Sequence, residues 1–405
     1  MPIKPDRLIG DLRALAEIGK YQTGVHRPAF SAEDIAAREW LRDKMVEAGL
    51  AAETDGVGTV YGRMTSSEKA VIVGSHSDTV PYGGWLDGAL GVIYGLEVAR
   101  CIAESGASKL GVDVVSFQDE EGSYLGLMGS RLFGGEDVSK EMAAAVGRDG
   151  KSLQSAIDET GLGGRPLARL DPARHVGFLE AHIEQGPRLE SSGTKIGVVS
   201  AIVGIKTLRV TFHGEANHAG TTPMDMRHDA GAAALTFGAD IQGKLRAIAG
   251  PDSVWNVGSA RFAPGAANVV PEEAELTVQM RDTSADILAK LEQAVREAAP
   301  AAAAHYQVTV DIVTTMETAP SAMSPELAGL ITRAAGELGI SHVTLPSGAG
   351  HDAMIMARHL PSAMLFVPSI GGRSHHVSED TSEADIVMGA AVTLRAVELL
   401  IEAHG

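Results

Sequence analysis

The chain has 405 residues, 44% of them hydrophobic, so it is long enough for more than one buried core and two domains are the natural expectation. Its formal net charge of −18 disfavours binding to nucleic acid or to an anionic membrane surface. Cys101 is the only cysteine and no apolar run reaches signal-peptide or membrane-spanning length, so we expect a cytoplasmic protein without intrachain disulfides.

The N-terminal half of the chain alternates predicted helices and strands. Ser31 is a candidate N-cap for an amphipathic helix that ends near Gly49. A buried β-branched run at 71–73 predicts a strand, followed by a helix over about 89–104 and another strand at 112–117. This order predicts an α/β domain built on a largely parallel sheet.

Polar side chains follow both of these strands. His76 and Asp78 come after the first strand, Asp87 lies in the Gly-rich loop beyond it, and Glu120 and Glu121 come after the second. Open α/β sheets place their sites at the carboxyl ends of strands, and imidazole and carboxylate are ligands for zinc, manganese or cobalt. One such cluster is ordinarily just a solvated loop, but two of them favour a metal site.

Two later clusters extend the set of potential ligands. His182 ends a predicted strand over 176–182, just before Gln185, and His375 and His376 follow a Gly-Gly-Arg-Ser loop. Five nitrogen or oxygen ligands from five separate loops are too many for one closed tetrahedral site but suit two metals bridged by a carboxylate. At this point either histidine of the adjacent pair could be the fifth ligand.

The middle of the chain has a different pattern, which starts at Ile205. Residues 206–212 alternate polar and apolar side chains, as half-exposed antiparallel strands do. The βαββαβ order that follows predicts an α+β domain at 205–320, inserted between the two parts of a first domain, 1–204 and 321–405. The predicted elements from here on are helices at about 225–249, 285–304, 325–339 and 383–403, and strands at 253–262, 268–281, 307–313 and 363–367.

Six segments, in order and over nearly the whole chain, resemble the amidohydrolase branch of the M20 metallopeptidase family. That branch includes N-carbamoyl-L-amino acid hydrolases, allantoate amidohydrolase, ureidoglycolate amidohydrolase and β-ureidopropionase. The resemblance implies an α/β catalytic domain, with a mixed, largely parallel sheet and helices on both faces, plus an inserted α+β lid and dimerisation domain. The segments are HSDTV at 76–80, GGWLDG at 83–88, DEEGS at 119–123, EAHIEQG at 180–186, NHAGTTPMDMR at 217–227 and SHHVSE at 374–379.

The resemblance also implies two divalent metal ions per subunit, zinc or else manganese, cobalt or nickel. Asp87 would bridge them, with His76 and His182 on one ion and Glu121 and His375 on the other. His375 is preferred over its neighbour because the family pattern places the ligand directly after the serine of SHHVSE.

Catalytic roles are implied in the same way. Glu120 would be the general base that takes a proton from a metal-bridging water and returns it to the departing nitrogen. Asp78 would orient a metal-binding histidine. His218 would steady the developing oxyanion, reached from the lid domain of the partner subunit in a homodimer.

Three further residues match substrate contacts of the family. Asn268 and Arg281 correspond to residues that grip the substrate's carboxylate, and Gln185 to one that contacts the ureido group. Tyr124 and Trp85 differ from the residues common at their positions, which leaves the side-chain preference open. His351 and Asp352, in a small-residue loop, are expected to line the site without an assigned step.

We therefore predict hydrolysis of the ureido C–N bond of an N-carbamoyl-L-amino acid to amino acid, carbon dioxide and ammonia. The alternatives are an amidohydrolase acting on allantoate or ureidoglycolate, and, further off, an N-acyl-amino acid hydrolase or dipeptidase. A metal-binding or carboxylate-binding protein without catalysis is a different class of alternative. The presence of Glu120 beside a full ligand set argues against it.

Overall fold

The computed structural model describes residues 2–106 and 108–404, and it divides into two compact units. Unit 1 comprises Met1–Ser200 and Ala322–Gly405, and unit 2 comprises Ala201–Ser321. Each unit has its own cluster of buried hydrophobic side chains. Within residues 2–106 and 108–404, no helix has the length and apolar character needed to cross a bilayer.

The strands and helices are as follows, in chain order. The strands are β1 (Lys20–Tyr21), β2 (Gly24–Val25), β3 (Ala51–Thr54), β4 (Val60–Arg63), β5 (Lys69–His76), β6 (Leu110–Phe117), β7 (His175–Ile183), β8 (Ile196–Ile202), β9 (Gly204–His213), β10 (Asn217–His218), β11 (Val254–Ala263), β12 (Val269–Val270), β13 (Glu273–Asp282), β14 (Thr309–Thr318), β15 (Ser321–Ala322), β16 (His342–Ser347) and β17 (Ser362–Val367). The helices are α1 (Pro5–Glu17), α2 (Ala32–Glu47), α3 (Ala89–Ser105), α4 (Met128–Phe133), α5 (Ser139–Ala144), α6 (Leu153–Thr160), α7 (Arg188–Ser192), α8 (Ala230–Ile248), α9 (Ala285–His305), α10 (Pro325–Glu337), α11 (Asp352–Met356) and α12 (Glu383–Ala403).

Unit 1 is built on a mixed sheet, which confirms the predicted fold class. The strand order is β15-β8-β17-β7-β5-β6-β4-β3, and β16 pairs with β8. The four central strands β17, β7, β5 and β6 are parallel, whereas β8, β4 and β3 pair antiparallel. Because the central strands run in the same direction, their carboxyl ends lie along one edge of the sheet.

Helix α3 follows the loop beyond β5 and packs against β5 and β6. It is buried along most of its length, and its Cys101 is inaccessible to solvent. Burial, together with the neighbouring Glu97 carboxylate, raises the pKa of the Cys101 thiol to about 11. The thiol is therefore protonated at neutral pH.

Unit 2 contains an antiparallel sheet in the order β11-β13-β9-β14, covered by α8 and α9. Its core includes Phe212, Phe237 and Leu291, all inaccessible to solvent. Beyond the end of the β9–β13 ladder, β10 pairs with β12, and His218 faces Val269.

Several predicted boundaries in unit 2 differ from the structure; the strand expected over 307–313, for example, is β14, Thr309–Thr318. The helix expected from about 225 begins at Ala230, because the Asp229 side chain accepts a hydrogen bond from the Ala232 amide at 2.9 Å and caps it. The strand expected over 268–281 is divided into β12 and β13 at Pro271, which has no N–H to donate to a ladder.

The chain leaves and re-enters unit 1 at adjacent points. The Met323 amide donates to the Ser200 carbonyl at 3.0 Å, just before the chain enters unit 2 and just after it returns. The two ends of unit 1 that flank the insertion are therefore hydrogen-bonded neighbours.

Candidate metal centre

Two groups of potential metal ligands share Asp87. The first is His76, Asp87 and His182, and the second is Asp87, Glu121 and His375. In each group the candidate ligand atoms lie within 4.8 Å of one another. One carboxylate is thus common to two ligand sets, the arrangement that a pair of bridged metal ions requires.

Parallel strands explain why these residues meet. His76 ends β5, Glu121 follows β6, and His182 lies near the end of β7, all at the carboxyl edge of the sheet. Asp87 lies two residues before the start of α3, and His375 follows β17. Their separation in sequence is large, but the strand order makes their loops neighbours.

The two buried histidines are held in one tautomer. The Nδ1 of His76 lies 3.0 Å from the Asp78 carbonyl, and the Nδ1 of His182 lies 2.9 Å from the Ile183 carbonyl. A carbonyl only accepts, so each Nδ1 carries the proton and each Nε2 presents a lone pair. Both Nε2 atoms face Asp87, at 3.6 Å and 3.0 Å from its Oδ1.

Asp87 is fixed by residues that sequence reasoning did not assign. Oε1 of Glu379 accepts hydrogen bonds from the amides of Leu86 and Asp87, at 3.1 and 3.0 Å. The Ser374 hydroxyl donates to Asp87 at 3.1 Å and lies 2.8 Å from the other Glu379 oxygen. Ser374 and Glu379 stand in the SHHVSE segment, so their position beside His375 was the available signal.

The electrostatics favour a bound cation. Burial raises the pKa of Glu120 well above its usual value and that of Glu121 to about 7, and nearby carboxylates add to both shifts. Burial would also raise the pKa of Asp87, but the close imidazoles of His182, His375 and His76 hold it well below its usual range. Positive charge at this point would relieve the repulsion among the carboxylates.

Several buried oxygen atoms at the site have no hydrogen-bond partner among the described residues, including oxygens of Asp78 and Asp352. Two more of them, Oε1 of Glu121 and Oε1 of Gln185, belong to a candidate ligand and to a side chain that contacts Asp87. The other end of the Gln185 amide donates to Asp87 at 2.9 Å and to Ser374 at 3.0 Å. A buried polar atom without a partner is costly, so both oxygens are positioned for groups that the chain itself does not supply. The donor set fits divalent ions that accept imidazole and carboxylate.

Glu120 lies beside the first ligand group without belonging to either. Its Oε2 is 3.6 Å from the Nε2 of His76, and its side chain is 11% exposed. One of two adjacent glutamates is therefore in a ligand group while the other is at its border.

Asp78 connects the site to helix α2. Its Oδ2 accepts from the Glu121 amide at 3.3 Å, and its Oδ1 lies 3.5 Å from a guanidinium nitrogen of Arg38. Arg38 is itself 1% exposed and donates to Asp34 at 2.8 Å. Sequence reasoning placed Asp78 next to a metal-binding histidine but did not identify Arg38.

His351 and Asp352 lie behind His182. The ring of His351 is 4.5 Å from that of His182 in an edge-to-face contact, and its Nε2 is 2.9 Å from the Ser347 hydroxyl. Burial raises the pKa of Asp352 to about 8, with the nearby Glu180 carboxylate adding to the shift. Both residues are buried.

Trp85 and Tyr124 have different surroundings. The indole N–H of Trp85 donates to Asp380 at 3.3 Å, and Arg13 lies over its ring. Tyr124 packs edge-to-face on Phe30, with ring centres 5.7 Å apart, and lines a cavity that also reaches Glu121. Of the two, Tyr124 is the one on a cavity at the metal-ligand group.

Several residues next to the site adopt a left-handed backbone. Asp119, Gln185 and His375 have φ values of 57°, 57° and 54°. Such conformations are uncommon outside glycine and persist where surrounding contacts hold them, often at functional sites. The Asp119 carboxylate provides one such set of contacts, accepting from the amides of residues 123, 124 and 125.

The three predicted residues of the inserted domain lie in unit 2, and they do not all come together there. His218 and Asn268 are adjacent, because the Ala219 amide donates to the Asn268 carbonyl at 3.0 Å. Arg281 pairs with Ile205, at the far end of the β9–β13 ladder. Its side chain donates to Gln279 at about 3 Å, and burial lowers its pKa.

The sequence matches the model of peptidase family M20/M25/M40 over residues 72–399. It is 34% identical over 403 residues to an N-carbamoyl-L-amino-acid amidohydrolase of Paenarthrobacter aurescens, covering 98% of each chain. It is also 34% identical to an allantoate amidohydrolase of Escherichia coli, covering 90% of each. A crystal structure of an amidase of the hydantoinase/carbamoylase family from Burkholderia phymatum superposes with a TM-score of 0.93 at 42% identity, over 99% of this chain and 98% of that one.

The fold and these relatives define a hydrolase of the amidohydrolase type. The chain belongs to peptidase family M20/M25/M40, and the resemblance found in its motifs is confirmed. Among the relatives, enzymes named for carbamoyl amino acids and for allantoate are equally similar in sequence. The family is therefore established, whereas these relatives do not distinguish between the substrates.

Proposed function

We propose that this protein hydrolyses the ureido C–N bond of N-carbamoyl-L-amino acids, yielding the amino acid, carbon dioxide and ammonia. The observation that carries the proposal is the pair of ligand groups sharing Asp87, with Glu120 at their border. Relatives named for the same reaction support the choice of substrate class. His76 and His182 would hold one divalent ion, Glu121 and His375 a second, and Asp87 both.

Divalent ions bound there would supply Lewis acidity and lower the pKa of a water molecule towards neutrality. Glu120 is buried at the edge of the ligand groups, where it takes a proton from the attacking water. It then delivers that proton to the departing nitrogen. The backbone carbonyls of Asp78 and Ile183 keep His76 and His182, respectively, in the tautomer that presents Nε2.

Gln185 would orient the ureido group. Its amide nitrogen is already engaged with Asp87 and Ser374, which fixes which end of the side chain faces outward. The remaining Oε1 is buried without a partner among the described residues and can accept a hydrogen bond from a ureido N–H.

The geometry of unit 2 supports a site shared between two subunits. From the Glu273 end of β13, next to which His218 and Asn268 lie, to Arg281 the strand spans roughly 25 Å. That exceeds the length of a carbamoyl amino acid, so one copy of unit 2 does not bring all three residues to the same substrate. We infer a homodimer in which His218 and Asn268 come from the partner and Arg281 from the same chain as Glu120.

Ammonia release tests the function directly. Metal-loaded enzyme is offered N-carbamoyl-L-amino acids, N-carbamoyl-β-alanine, allantoate and ureidoglycolate, with N-acetyl amino acids and dipeptides followed by free amine, each with and without chelator. We expect chelator-sensitive turnover of N-carbamoyl-L-amino acids and two equivalents of metal by elemental analysis. Turnover of allantoate or of N-acyl substrates alone would reject the proposed substrate.

Glu120→Gln tests the proposed base. The change removes proton acceptance but keeps size and hydrogen bonding, so kcat should fall by about a thousandfold or more while both metal equivalents remain. Glu39→Gln, at an exposed position of α2, is the matched control and should leave kcat unchanged. Full activity in Glu120→Gln would show that another group moves the proton.

Mixing subunits tests the shared site. Each of the variants Glu120→Gln, His218→Ala and Arg281→Ala should be inactive alone. If His218 acts in the site of the partner subunit, a heterodimer of Glu120→Gln and His218→Ala contains one site with neither defect. Activity should therefore return when these two variants are mixed. Mixing Glu120→Gln with Arg281→Ala should restore nothing, because each of the two sites in that heterodimer would still carry one defect. Equal behaviour of the two mixtures would contradict the assignment.

A further inference from the structure

A cavity of about 500 Å³ lies within unit 1 and has Glu121 in its wall. Its other walls come from the segment before α2, the residues after β5 and the loop between α5 and α6. That volume is in the usual range for small-molecule sites. A substrate whose ureido group meets the ligand groups around Asp87 therefore has open space beside it, on the Glu121 side.

The lining includes several aromatic and apolar side chains among its polar ones. Phe30 and Tyr124 contact each other edge-to-face and both pack on the buried cluster that contains Val57, Met128 and Leu153. Val80 and Pro81, with Pro28 and Ala29, continue this surface. Such a wall stabilises an apolar or aromatic group by removing it from water and offering ring faces and edges.

Of the charged residues that line the cavity, two form an ion pair, and two others contact a backbone amide or solvent. Lys151 pairs with Glu159 at 2.7 Å, and the Asp149 carboxylate accepts from the Lys151 amide at 3.0 Å. Arg148 is exposed, so its charge is solvated at the cavity's edge. These charges do not create a strong preference for a charged occupant.

Resting on the proposed function, we propose that this cavity binds the side chain of the substrate's amino acid and that Phe30 and Tyr124 select bulky aromatic or apolar side chains. We assign the substrate's side chain to this cavity because Glu121 is both a lining residue and a candidate metal ligand. The cavity is therefore next to the place where the ureido group would react. Allantoate and ureidoglycolate carry no apolar side chain that would use this surface.

The test compares kcat/KM for N-carbamoyl-L-phenylalanine and N-carbamoyl-L-alanine in the metal-loaded enzyme. The wild-type enzyme should favour phenylalanine by about 10-fold or more, as expected for a phenyl group transferred from water into an apolar site. Tyr124→Ala and Phe30→Ala should each lower that ratio by about 10-fold, mainly through KM for phenylalanine.

Tyr124→Phe and Tyr21→Ala are the matched variants. The first keeps the ring and should keep the ratio; the second removes an exposed ring that does not line the cavity and should change neither substrate. If an alanine variant fails to fold, inhibition of the wild-type enzyme by the products L-phenylalanine and L-alanine gives a second measurement. Phenylalanine should then inhibit about 10-fold more strongly.

The outcomes separate this inference from the function on which it rests. No turnover of any N-carbamoyl amino acid would reject the proposed function. Turnover with equal kcat/KM for the two substrates, or a wild-type preference that survives in folded Tyr124→Ala and Phe30→Ala, would overturn the side-chain site while leaving the proposed function intact.

Discussion

Asp113 and Asp87 are both buried carboxylates of unit 1, but their neighbours differ. Asp113 accepts two hydrogen bonds from Arg174 at 2.8 Å, one from Tyr61 at 2.5 Å and one from the Met64 amide at 2.9 Å. Its charge is balanced by the chain itself. Asp87 is instead surrounded by imidazoles and other carboxylates, where we propose that divalent ions bind. We expect the first arrangement to contribute to stability and the second to metal binding.

We expect Asp113→Asn to lower the free energy of unfolding by roughly 3 kcal/mol at neutral pH, because Arg174 would remain buried without its counter-charge. Burial alone would raise the pKa of Asp113, but hydrogen bonds from Arg174, His175 and Tyr61 hold it at about 2. The stability from this depressed pKa is present above the unfolded-state value of about 4 and is lost as pH falls through about 2.

Denaturant unfolding between pH 7 and the lowest pH at which both proteins fold checks this expectation. The difference between wild type and Asp113→Asn should be largest near neutrality and should narrow below pH about 4. Asp43→Asn, which disturbs an exposed pair with Arg42, should change the free energy of unfolding by less than about 0.5 kcal/mol. If the difference in free energy of unfolding between wild type and Asp113→Asn did not depend on pH, the proposed role of the Asp113 charge would be refuted.

At the residue scale, the sequence indicated the candidate ligands but not all of the residues that support them. His76 and Glu121 could be found because each directly follows an apolar strand. Arg38 could not, because it lies in an amphipathic helix where a charged residue ordinarily faces solvent. Its partners beyond Asp34 are the Gly58 and Phe117 carbonyls and Asp78, which only the folded chain brings near.

At the scale of elements, the residue that precedes α3 lies against the ring of a candidate metal ligand. Gly88 precedes the helix with φ +64°, and a Cβ added there would lie 2.4 Å from the His76 ring. Gly88→Ala should therefore displace His76 and strain the backbone, lowering metal affinity by about 10-fold or more. Titration against a competing chelator measures the affinity, and circular dichroism confirms that the variant folds.

Gly329→Ala is the control at this scale. Gly329 lies inside α10, where an added Cβ meets no atom within 4 Å. The change should leave metal affinity unaltered and raise the free energy of unfolding by about 0.5 to 1 kcal/mol, the difference in helix propensity. Unchanged affinity in Gly88→Ala would show that His76 can shift without loss of the ligand group.

Many of the longer helices and strands were predicted, but helix α1, strand β8 and the short edge strands were not. The Ser31 hydroxyl accepts from the Asp34 amide at 3.1 Å, so the predicted N-cap of α2 is confirmed. Strands β3 and β16 escaped prediction because each is a short, partly exposed run on the antiparallel margins of the sheet. Their pairing depends on neighbours far away in the sequence rather than on a local pattern.

At the scale of the whole molecule, the adjacency of Ser200 and Met323 makes unit 2 removable. Replacing 201–321 by a short Gly-Ser linker should leave a folded unit 1, because its core and all five candidate ligands lie outside that segment. The shortened protein should bind two equivalents of metal and release no ammonia from ureides, since His218, Asn268 and Arg281 are gone. Circular dichroism, elemental analysis and the ammonia assay check the three statements.

Failure of the shortened protein to fold would show that unit 1 depends on unit 2 for stability. Residues 201–321 expressed alone provide the complementary experiment. They contain a complete antiparallel sheet, two long helices and a separate core, so cooperative unfolding is expected.

The protonated, inaccessible thiol of Cys101 has a practical consequence for observing this enzyme at work. Alkylating dyes and spin labels react with thiolate at exposed positions, so the natural chain should give almost no background. A cysteine introduced at an exposed position in each unit, such as Glu39 and Leu235, would then carry the entire signal. Distances between the two probes, followed during turnover, would reveal directly whether catalysis is accompanied by opening and closing.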